Sequence, residues 1–350
     1  YYYFQGVRLF GSIPLKTTPT TSLENLDLDK APVEDIYNQV VADLIKAADS
    51  GLPAEDVSGH VSSNAVHALL AKVYLTMAGY PLQKGAEYYQ KALDEANLVI
   101  NAGVTLYPKY ADLRNAANDN KGEQIFMIQR EGQFASSILH FQFLPFPEVP
   151  ISRNTGSGGG MAPNPAFYDS YEPNDLRIQN KQYYYTKAAN ITTGDTITLP
   201  RPYIYKYWDD DAEVTGRNGM NIPLIRFADV LLMAAEAKVM VDGGTSTSDQ
   251  AAVDAWWQVH HRAFPALTDA DKPASITFND VMKERFWELS FEFQLWYDML
   301  RTRKAFDVAT GQMTNLIGYK APRHTRAFVE TDLLLPIPLV EIQKNPKLDK

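Results

Sequence analysis

Residues 69–96 read LLAKVYLTMAGYPLQKGAEYYQKALDEA, and this stretch indicates the fold class. Apolar and small side chains recur at helical spacing on both sides of Gly79, Tyr80 and Pro81, which are residues typical of a turn. The pattern therefore predicts two consecutive helices, over residues 65–78 and 85–101. We expect these two helices to form a pair.

This helical pair resembles a tetratricopeptide repeat. Small Ala71 and bulky Tyr74 lie on the first helix, and YYQKAL at residues 88–93 lies on the second, although the turn is longer than in the standard repeat. A second pair is predicted over residues 227–241 and 250–263, joined by a flexible link at residues 242–246. The expected fold class is mainly α-helical, with tetratricopeptide-like helical pairs packed against a loop-rich subdomain.

The loop-rich subdomain is predicted between the two pairs. Helical periodicity fails between residues 115 and 221, where Gly, Pro, Asn and aromatic residues are frequent, and short extended pieces are predicted at 124–130 and 203–207. Long irregular segments in a compact protein are usually functional. The predicted organisation is a helical part over residues 1–114, a ligand-binding insertion over 115–221 and a second helical part with an extended tail over 222–350.

Three further elements are predicted at the two ends of the chain. A helix begins near Pro32, and one strong helix is expected over residues 279–302. At the start of the chain, Tyr3, Val7 and Phe10 form an apolar stripe at helical spacing, with no capping residue before it. We therefore expect this stripe to contact an upstream or separate element.

Composition excludes several classes of protein. The chain has 350 residues and a formal net charge of −9, which argues against nucleic acid as a partner because phosphate contacts need a basic surface. It has no cysteine, so disulfides and thiolate chemistry are absent. Aromatic residues make up 12%, led by 20 tyrosines, and such side chains suit polar, ring-shaped ligands.

The candidate catalytic groups are three glutamates. Glu284, Glu288 and Glu292 are spaced to share one helix face and could mimic paired catalytic carboxylates. Because they alternate with an arginine and several aromatic residues, ion pairing and capping are the favoured interpretation. The chain has no nucleophile motif and no HExxH motif, so we expect no catalytic residue and no enzymatic activity.

No cofactor or metal is expected either. The glycine-rich residues 156–160 lack the Lys-Ser/Thr that follows a phosphate-binding loop. The acidic residues 209–213 could suggest calcium, but the sequence lacks the glycine and the closing glutamate of an EF-hand. A solvated acidic turn is the favoured interpretation, and an irregular calcium site is the alternative.

Six sequence blocks together resemble the SusD/RagB family of surface glycan-binding lipoproteins. No single block is decisive, but the six follow the family's order over nearly the whole chain. The blocks are YYF at 2–4 with FGSIPL at 10–15, VEDIY at 33–37, ALLAKVYL at 68–75, IRFADVLL at 225–232, ER at 284–285 with WYDMLR at 296–301, and LPIP at 335–338 with NP at 345–346.

The resemblance implies a binding function without catalysis. Family members lie on the outer face of the Gram-negative outer membrane, bind oligosaccharides and deliver them to a TonB-dependent transporter of the SusC type. They meet the membrane through a lipid anchor, which is absent from this chain together with the upstream helical portion, so a truncated form is expected. Two alternatives stay open, namely oligopeptide capture, as in the RagB branch, and a glycoside hydrolase.

The ligand site is predicted in the loop-rich insertion, mainly over residues 133–164, with a second contribution from residues 203–208. An aromatic platform beside charged or amide groups suits the apolar faces and hydroxyl rim of a sugar. The alternative is that the closely spaced phenylalanines face the core of a strand. The candidate residues are Phe134, His140, Phe141, Phe143, Phe146, Arg153, Asn154 and Trp208.

Overall fold

The structure is a computed structural model that describes residues 1–22, 24, 26–145, 150–154 and 160–349. Helices dominate these ranges, as the sequence predicts. They are α1 (Tyr2–Phe10), α2 (Val33–Ala48), α3 (Ser63–Ala78), α4 (Ala86–Asn101), α5 (Leu139–Gln142), α6 (Pro165–Tyr168), α7 (Asp210–Thr215), α8 (Phe227–Val241), α9 (Gln250–Ala263), α10 (Phe278–Glu288), α11 (Leu295–Thr302) and α12 (Leu339–Lys344). None of the helices in the described ranges combines the length and hydropathy needed to cross a lipid bilayer.

The strands are short and form two-stranded antiparallel ladders. The ladder partners are β1 (Gln124–Ile128) with β4 (Ile222–Arg226), β2 (Tyr184–Ala189) with β3 (Thr196–Ile204), β5 (Ser246–Thr247) with β6 (Ile276–Thr277), and β7 (Lys304–Asp307) with β8 (Gln312–Asn315). The ladder of β1 and β4 joins the two edges of the loop-rich insertion, because β1 lies near its start and β4 directly follows it. The predicted mainly α-helical class, with few short strands, is confirmed.

The main core lies between the two predicted helical pairs. Helix α3 packs against α4, α8 packs against α9, and α4 contacts α8, so the pairs form one continuous helical layer. Almost every side chain of α3 and α8 is buried, which is the pattern of helices surrounded by neighbours on all sides. Fully buried alanines, such as Ala71, Ala96 and Ala235, let these helices approach closely.

Local caps fix where the core helices begin. The Ser62 hydroxyl accepts a hydrogen bond from the Ala65 N–H at 3.2 Å, and the Asp249 carboxylate accepts one from the Ala252 N–H at 3.0 Å. Each cap satisfies an N–H that has no partner inside the helix. At the other end of α3, a Cβ on Gly79 would lie 2.4 Å from the Arg301 carbonyl oxygen, so only glycine allows this turn to touch α11.

The first helix does not follow the expected contacts. Val7 is buried in the main core beside Phe4, whose ring meets that of Tyr37 edge-on with 6.2 Å between the ring centres. The Tyr3 hydroxyl donates a hydrogen bond to the Lys16 carbonyl oxygen at 2.7 Å. The expectation that this stripe contacts an element outside this chain is therefore wrong for Val7, which is buried in the same core cluster as Ile36 and Tyr37 of α2.

The single helix expected over residues 279–302 is also wrong. The structure has two helices, α10 and α11, separated by residues 289–294, and both Phe291 and Phe293 have positive φ angles, of 66° and 62°. The break is stabilised by the buried ammonium of Lys206, which donates to the carbonyl oxygens of Glu288 at 2.9 Å and Ser290 at 3.1 Å. The Glu288 carbonyl is one that the end of α10 leaves without an intrahelical partner, and the Ser290 carbonyl lies in the break itself.

A buried network of charges, here called the central ion cluster, occupies the space around this break. Its arginines come from β4, α9 and the segment before β2, so the cluster ties the loop-rich insertion to the helices. The members are Glu123, Asp175, Arg177, Lys206, Arg226, Arg262, Glu284, Glu288 and Glu292. The predicted ion pairing of the three glutamates is confirmed, although Glu292 lies after the helix and not on its face.

Glu288 is the centre of this cluster. Its carboxylate accepts hydrogen bonds from Arg262 at 2.8 Å, from Arg226 at 3.1 Å and from the Tyr183 hydroxyl at 2.7 Å. Burial alone would raise the pKa of Glu288, but the positive charges of Arg262, Arg226 and Arg177 outweigh burial and hold the pKa well below its ordinary value. The carboxylate is therefore ionised, enclosed and engaged with its partners.

We predict that Glu288→Gln lowers the free energy of unfolding by about 3–5 kcal/mol, because it leaves buried guanidinium groups without their counter-charge. Urea unfolding at pH 7 measures the change. The matched control is Glu34→Gln, which breaks the exposed ion pair with Lys84 and should cost far less, because water screens an exposed pair. Equal losses in the two variants would contradict a structural role for the central ion cluster.

A second prediction concerns the stability of the fold at acidic pH. Burial raises the pKa of Asp298, but Arg285 and Arg301 outweigh burial and lower the pKa to about 2. Because the folded-state pKa lies below the ordinary value of 3.8, Asp298 stabilises the fold above pH 4 and loses that contribution as the pH falls toward 2. The loss should be about 2 kcal/mol, seen by urea unfolding at each pH.

Asp298→Asn should show less of this acid dependence, although it is less stable than the parent at neutral pH. Asp195→Asn removes an exposed carboxylate and should keep the parent's dependence on pH. If the free energy of unfolding of Asp298→Asn fell as steeply as that of the parent between pH 4 and pH 2, the role assigned to this carboxylate would be refuted.

Candidate functional site

The segment after β3 runs from the interior to the surface. The Tyr205 N–H donates to the Tyr183 carbonyl oxygen at 2.7 Å, and Lys206 lies in the central ion cluster. The Tyr207 hydroxyl then donates to the Phe291 carbonyl oxygen at 3.0 Å. Trp208, the next residue, is half-buried, so its position is fixed by a buried anchor immediately before it.

The Trp208 ring is part of a larger aromatic group. It stacks on Tyr205 with 5.2 Å between the ring centres and 14° between the planes, and it meets Tyr185 edge-on at 5.8 Å. Its indole N–H donates to the Asp210 carboxylate at 2.8 Å. An aromatic side chain with a hydrogen-bonded acceptor at its edge offers both an apolar face and a polar rim to a ligand.

His140 packs against Trp208 on its interior side and is 2% exposed. Its Nδ1 atom accepts the Asp209 N–H at 3.1 Å, so Nε2 carries the proton and donates to the Glu213 carboxylate at 2.8 Å. The ring meets that of Trp208 edge-on, with 5.2 Å between the ring centres. His140 therefore positions the Trp208 segment from the interior.

Asn154 holds the short helix α7, which follows Trp208. Its side-chain amide donates to the carbonyl oxygens of Ala212 at 3.1 Å and Glu213 at 3.3 Å. Arg153 is exposed beside it. Asp209 caps the start of α7 by accepting from the backbone N–H groups of Asp211 and Ala212.

The acidic residues 209–213 are thus occupied in local structure. Asp209 serves as the helix cap, and Glu213 accepts hydrogen bonds from His140 and from the Ser152 hydroxyl. Within the described ranges, no three His, Cys, Asp or Glu side chains converge on a point where a metal ion could bind. Residues 209–213 are arranged as a capped helical turn.

Of the four remaining aromatic candidates, the three that the structure describes lie in different places. Phe134 is 87% exposed at the tip of a tight turn in which Glu131 pairs with Ala135. Phe141 is buried and packs with Leu144, Ala212 and Trp208 in one apolar cluster. Phe143 is 5% exposed and stacks on Tyr207 at 5.5 Å, so it belongs to the packing beneath the surface. Phe146 and residues 156–159 lie outside the described residues.

The structure therefore brings His140, Phe141, Asn154 and Trp208 together around α7, and it separates Phe134 from them. It also adds two groups that the sequence analysis did not assign to the ligand site. The Arg114 guanidinium lies 4.7 Å from the centre of the Tyr205 ring, and Asp210 binds the indole of Trp208. No sequence signal indicates Arg114, since it precedes Tyr205 by about 90 residues and reaches it only through folding.

We call this region the Trp208 surface, defined by Arg114, Arg153, Asn154, Tyr205, Trp208 and Asp210. It presents a half-buried indole with an acceptor at its edge. Arg114 lies against the Tyr205 ring and donates to the carbonyl oxygens of Lys181 and Gln182, and Arg153 is exposed next to Asn154 in the sequence. Such a set can bind a ligand that has apolar faces and hydroxyl groups. In contrast, Glu284, Glu288 and Glu292 are enclosed in ion pairs and do not face this surface.

Comparison with known proteins covers the whole chain. The sequence profile described as "SusD family" matches residues 114–350, and a profile described as "Starch-binding associating with outer membrane" matches residues 1–75. SusD-like protein P2 of Formosa agariphila is 29% identical over 383 residues, and the match covers 99% of this chain and 70% of that protein.

Solved structures agree with this assignment. A SusD superfamily protein from Parabacteroides distasonis has a TM-score of 0.91 at 37% identity, covering 99% of this chain and 74% of that one. A crystal structure with xylogluco-oligosaccharide has a TM-score of 0.80 at 23% identity, with coverage of 99% and 78%, and it shares the fold. By profile, sequence and fold, the chain belongs to the SusD/RagB family.

Proposed function

We propose that this chain captures oligosaccharides at the Trp208 surface without cleaving them. The observation that carries the proposal is the half-buried indole of Trp208, which is stacked on Tyr205 and hydrogen-bonded to Asp210. Sugar rings have apolar C–H faces bordered by hydroxyl groups, so an indole desolvates the face while a carboxylate and guanidinium groups bind the rim. Because the indole is fixed from the interior, little side-chain freedom is lost on binding.

Two comparisons support a carbohydrate ligand. One matching profile is named for starch binding, and a protein of the same fold was crystallised with xylogluco-oligosaccharide. The absence of cleavage is supported by the burial of Glu284, Glu288 and Glu292, since a glycosidase needs two carboxyl groups facing one cleft.

We further propose that the protein acts at the outer face of the outer membrane, where a lipid anchor holds it and a SusC-like TonB-dependent transporter receives the oligosaccharide. Membership of the family and the outer-membrane name of the second profile support this location.

The binding proposal is tested with an array of oligosaccharides that includes xylogluco- and malto-oligosaccharides, followed by calorimetry on the best ligand. Trp208→Ala should weaken binding about tenfold or more, because an aromatic contact contributes about 1 kcal/mol beyond its buried area and the area itself is also lost. The matched control is Tyr2→Ala, which removes an exposed aromatic ring elsewhere and should bind as the parent does.

The same calorimetry locates the edges of the site. Arg153→Ala should weaken glycan binding and leave the melting temperature unchanged, because this side chain is exposed. Phe134→Ala removes an exposed ring that lies apart from the Trp208 surface, so this variant should bind as the parent does. Weakened binding by Phe134→Ala would extend the site to that turn, and unchanged binding by Arg153→Ala would remove Arg153 from it. Binding of oligopeptides instead of glycans, or chromatographic evidence that a bound oligosaccharide is shortened, would refute the proposed function.

The delivery proposal is tested by affinity purification of the protein from its native outer membrane in mild detergent. A TonB-dependent transporter should co-purify in a fixed ratio with the protein. A matched purification of an unrelated outer-membrane lipoprotein should not recover it. Recovery of the protein alone, under conditions that preserve other transporter pairs, would contradict delivery by this route.

A further inference from the structure

A cavity of about 370 Å³ lies away from the Trp208 surface, between α1, the start of α2, the end of α3, α11 and the segment around residue 333. Its walls are largely apolar and aromatic, and the volume falls within the range of small-ligand pockets. The side chains that matter here are Arg8, Tyr37, Tyr80, Tyr297, Arg303 and Leu334. None of them belongs to the Trp208 surface.

Arg8 is the unusual member of this set. It is 7% exposed, and its guanidinium carbon lies 3.9 Å from the centre of the Phe4 ring and 3.7 Å from the centre of the Tyr297 ring. Its Nη2 donates to the Gln5 side chain at 2.7 Å, and its Nε donates to the Phe4 carbonyl oxygen at 3.3 Å. Among the described residues, its Nη1 has no hydrogen-bond partner.

The other buried arginines of the described chain show what is missing at Arg8. Each of them has at least one carboxylate within ion-pair distance, whereas Arg8 has none among the described residues. They are Arg177, Arg226, Arg262, Arg285 and Arg301. A buried guanidinium is stabilised by a counter-charge, and the two aromatic rings supply only part of that stabilisation.

The charges around the cavity favour a negative ligand. Arg301 is neutralised by Glu236 and Asp298, so it adds little net charge. Arg303 lies with its guanidinium 4.7 Å from the centre of the Tyr80 ring and has no ion pair in the described part of the chain. Glu330 is the single carboxylate that lines the cavity. Arg8 and Arg303 therefore leave an excess of positive charge.

We propose that the Arg8 cavity binds a small organic carboxylate that carries an apolar body. The carboxylate accepts a hydrogen bond from Nη1 of Arg8 and supplies its missing counter-charge. The apolar body lies against Tyr37, Tyr80 and Leu334, where it displaces water from apolar surface. This site is separate from the oligosaccharide surface, and it does not depend on whether the protein binds glycans.

The test uses phenylacetate as the probe and 2-phenylethanol as its neutral counterpart. Calorimetry measures the binding of each compound to the full chain. Phenylacetate should bind at least tenfold more tightly than 2-phenylethanol, because only the carboxylate can pair with Arg8. Acetate should also bind at least tenfold more weakly than phenylacetate, because it lacks the apolar body.

Two variants assign the site. Arg8→Gln should reduce the affinity for phenylacetate at least tenfold, while the matched control Arg217→Gln, at an exposed arginine outside both sites, should leave it unchanged. Since Arg8→Gln also removes contacts with Phe4 and Tyr297, Leu334→Trp provides a second test that fills the mouth of the cavity and keeps Arg8. That variant should lose binding and stay folded by circular dichroism.

Three results would overturn the proposal. They are no binding of phenylacetate to the parent at millimolar concentration, equal affinity for phenylacetate and 2-phenylethanol, and undiminished binding to folded Leu334→Trp. Each result bears on the Arg8 cavity alone, so none of them affects the proposal for the Trp208 surface.

Discussion

Glu288 holds together segments that are far apart in the sequence. Its carboxylate binds Arg226 at the end of β4 and Arg262 on α9, and it also accepts the hydroxyl hydrogen of Tyr183, just before β2. Each partner contributes a charge or hydroxyl that would be costly to bury alone, so the partners are stable only when they are assembled. This constraint fixes how the loop-rich insertion sits on the helical layer.

A second buried network of ion pairs joins helices that are distant in sequence. Arg285 on α10 and Arg301 on α11 both pair with Asp298, and Arg301 also pairs with Glu236 on α8. Lys72 on α3 joins through Asp229. With at least one charged group from each of these helices, the network specifies their register, whereas apolar packing alone tolerates more than one arrangement. The break between α10 and α11 lies where the two networks meet.

The central ion cluster holds the segment that carries the Trp208 surface in place. Lys206 is buried with Glu292 and satisfies carbonyl oxygens at the end of α10, while Trp208, two residues later, reaches the surface. His140 and Asn154 hold the other side of the same segment. A side chain whose neighbours are fixed in this way has little freedom left to lose when it contacts a ligand. Arg8 is different, because it lies between two aromatic rings and no carboxylate among the described residues pairs with it.

The sequence by itself determined the helical pairs, because periodic spacing and turn residues act over a few positions. The predicted helices at residues 227–241 and 250–263 agree with α8 and α9, and the six ordered blocks correctly indicated the family. The sequence also placed Trp208 and Asn154 in one candidate site. Their role in binding stays a prediction, as does the division of the chain into three parts.

Only the tertiary structure decided the rest. Helical spacing in residues 279–302 predicts one helix, but Glu288 and Glu292 both reach Arg226, more than 60 positions earlier, and a straight helix is interrupted between them. His140 and Phe143 resemble exposed platform residues in sequence, yet both are buried. Arg114 gives no sequence signal and still lies against Tyr205. In each case the deciding partner is distant in sequence, so the burial and charge that fix the side chain exist only after folding.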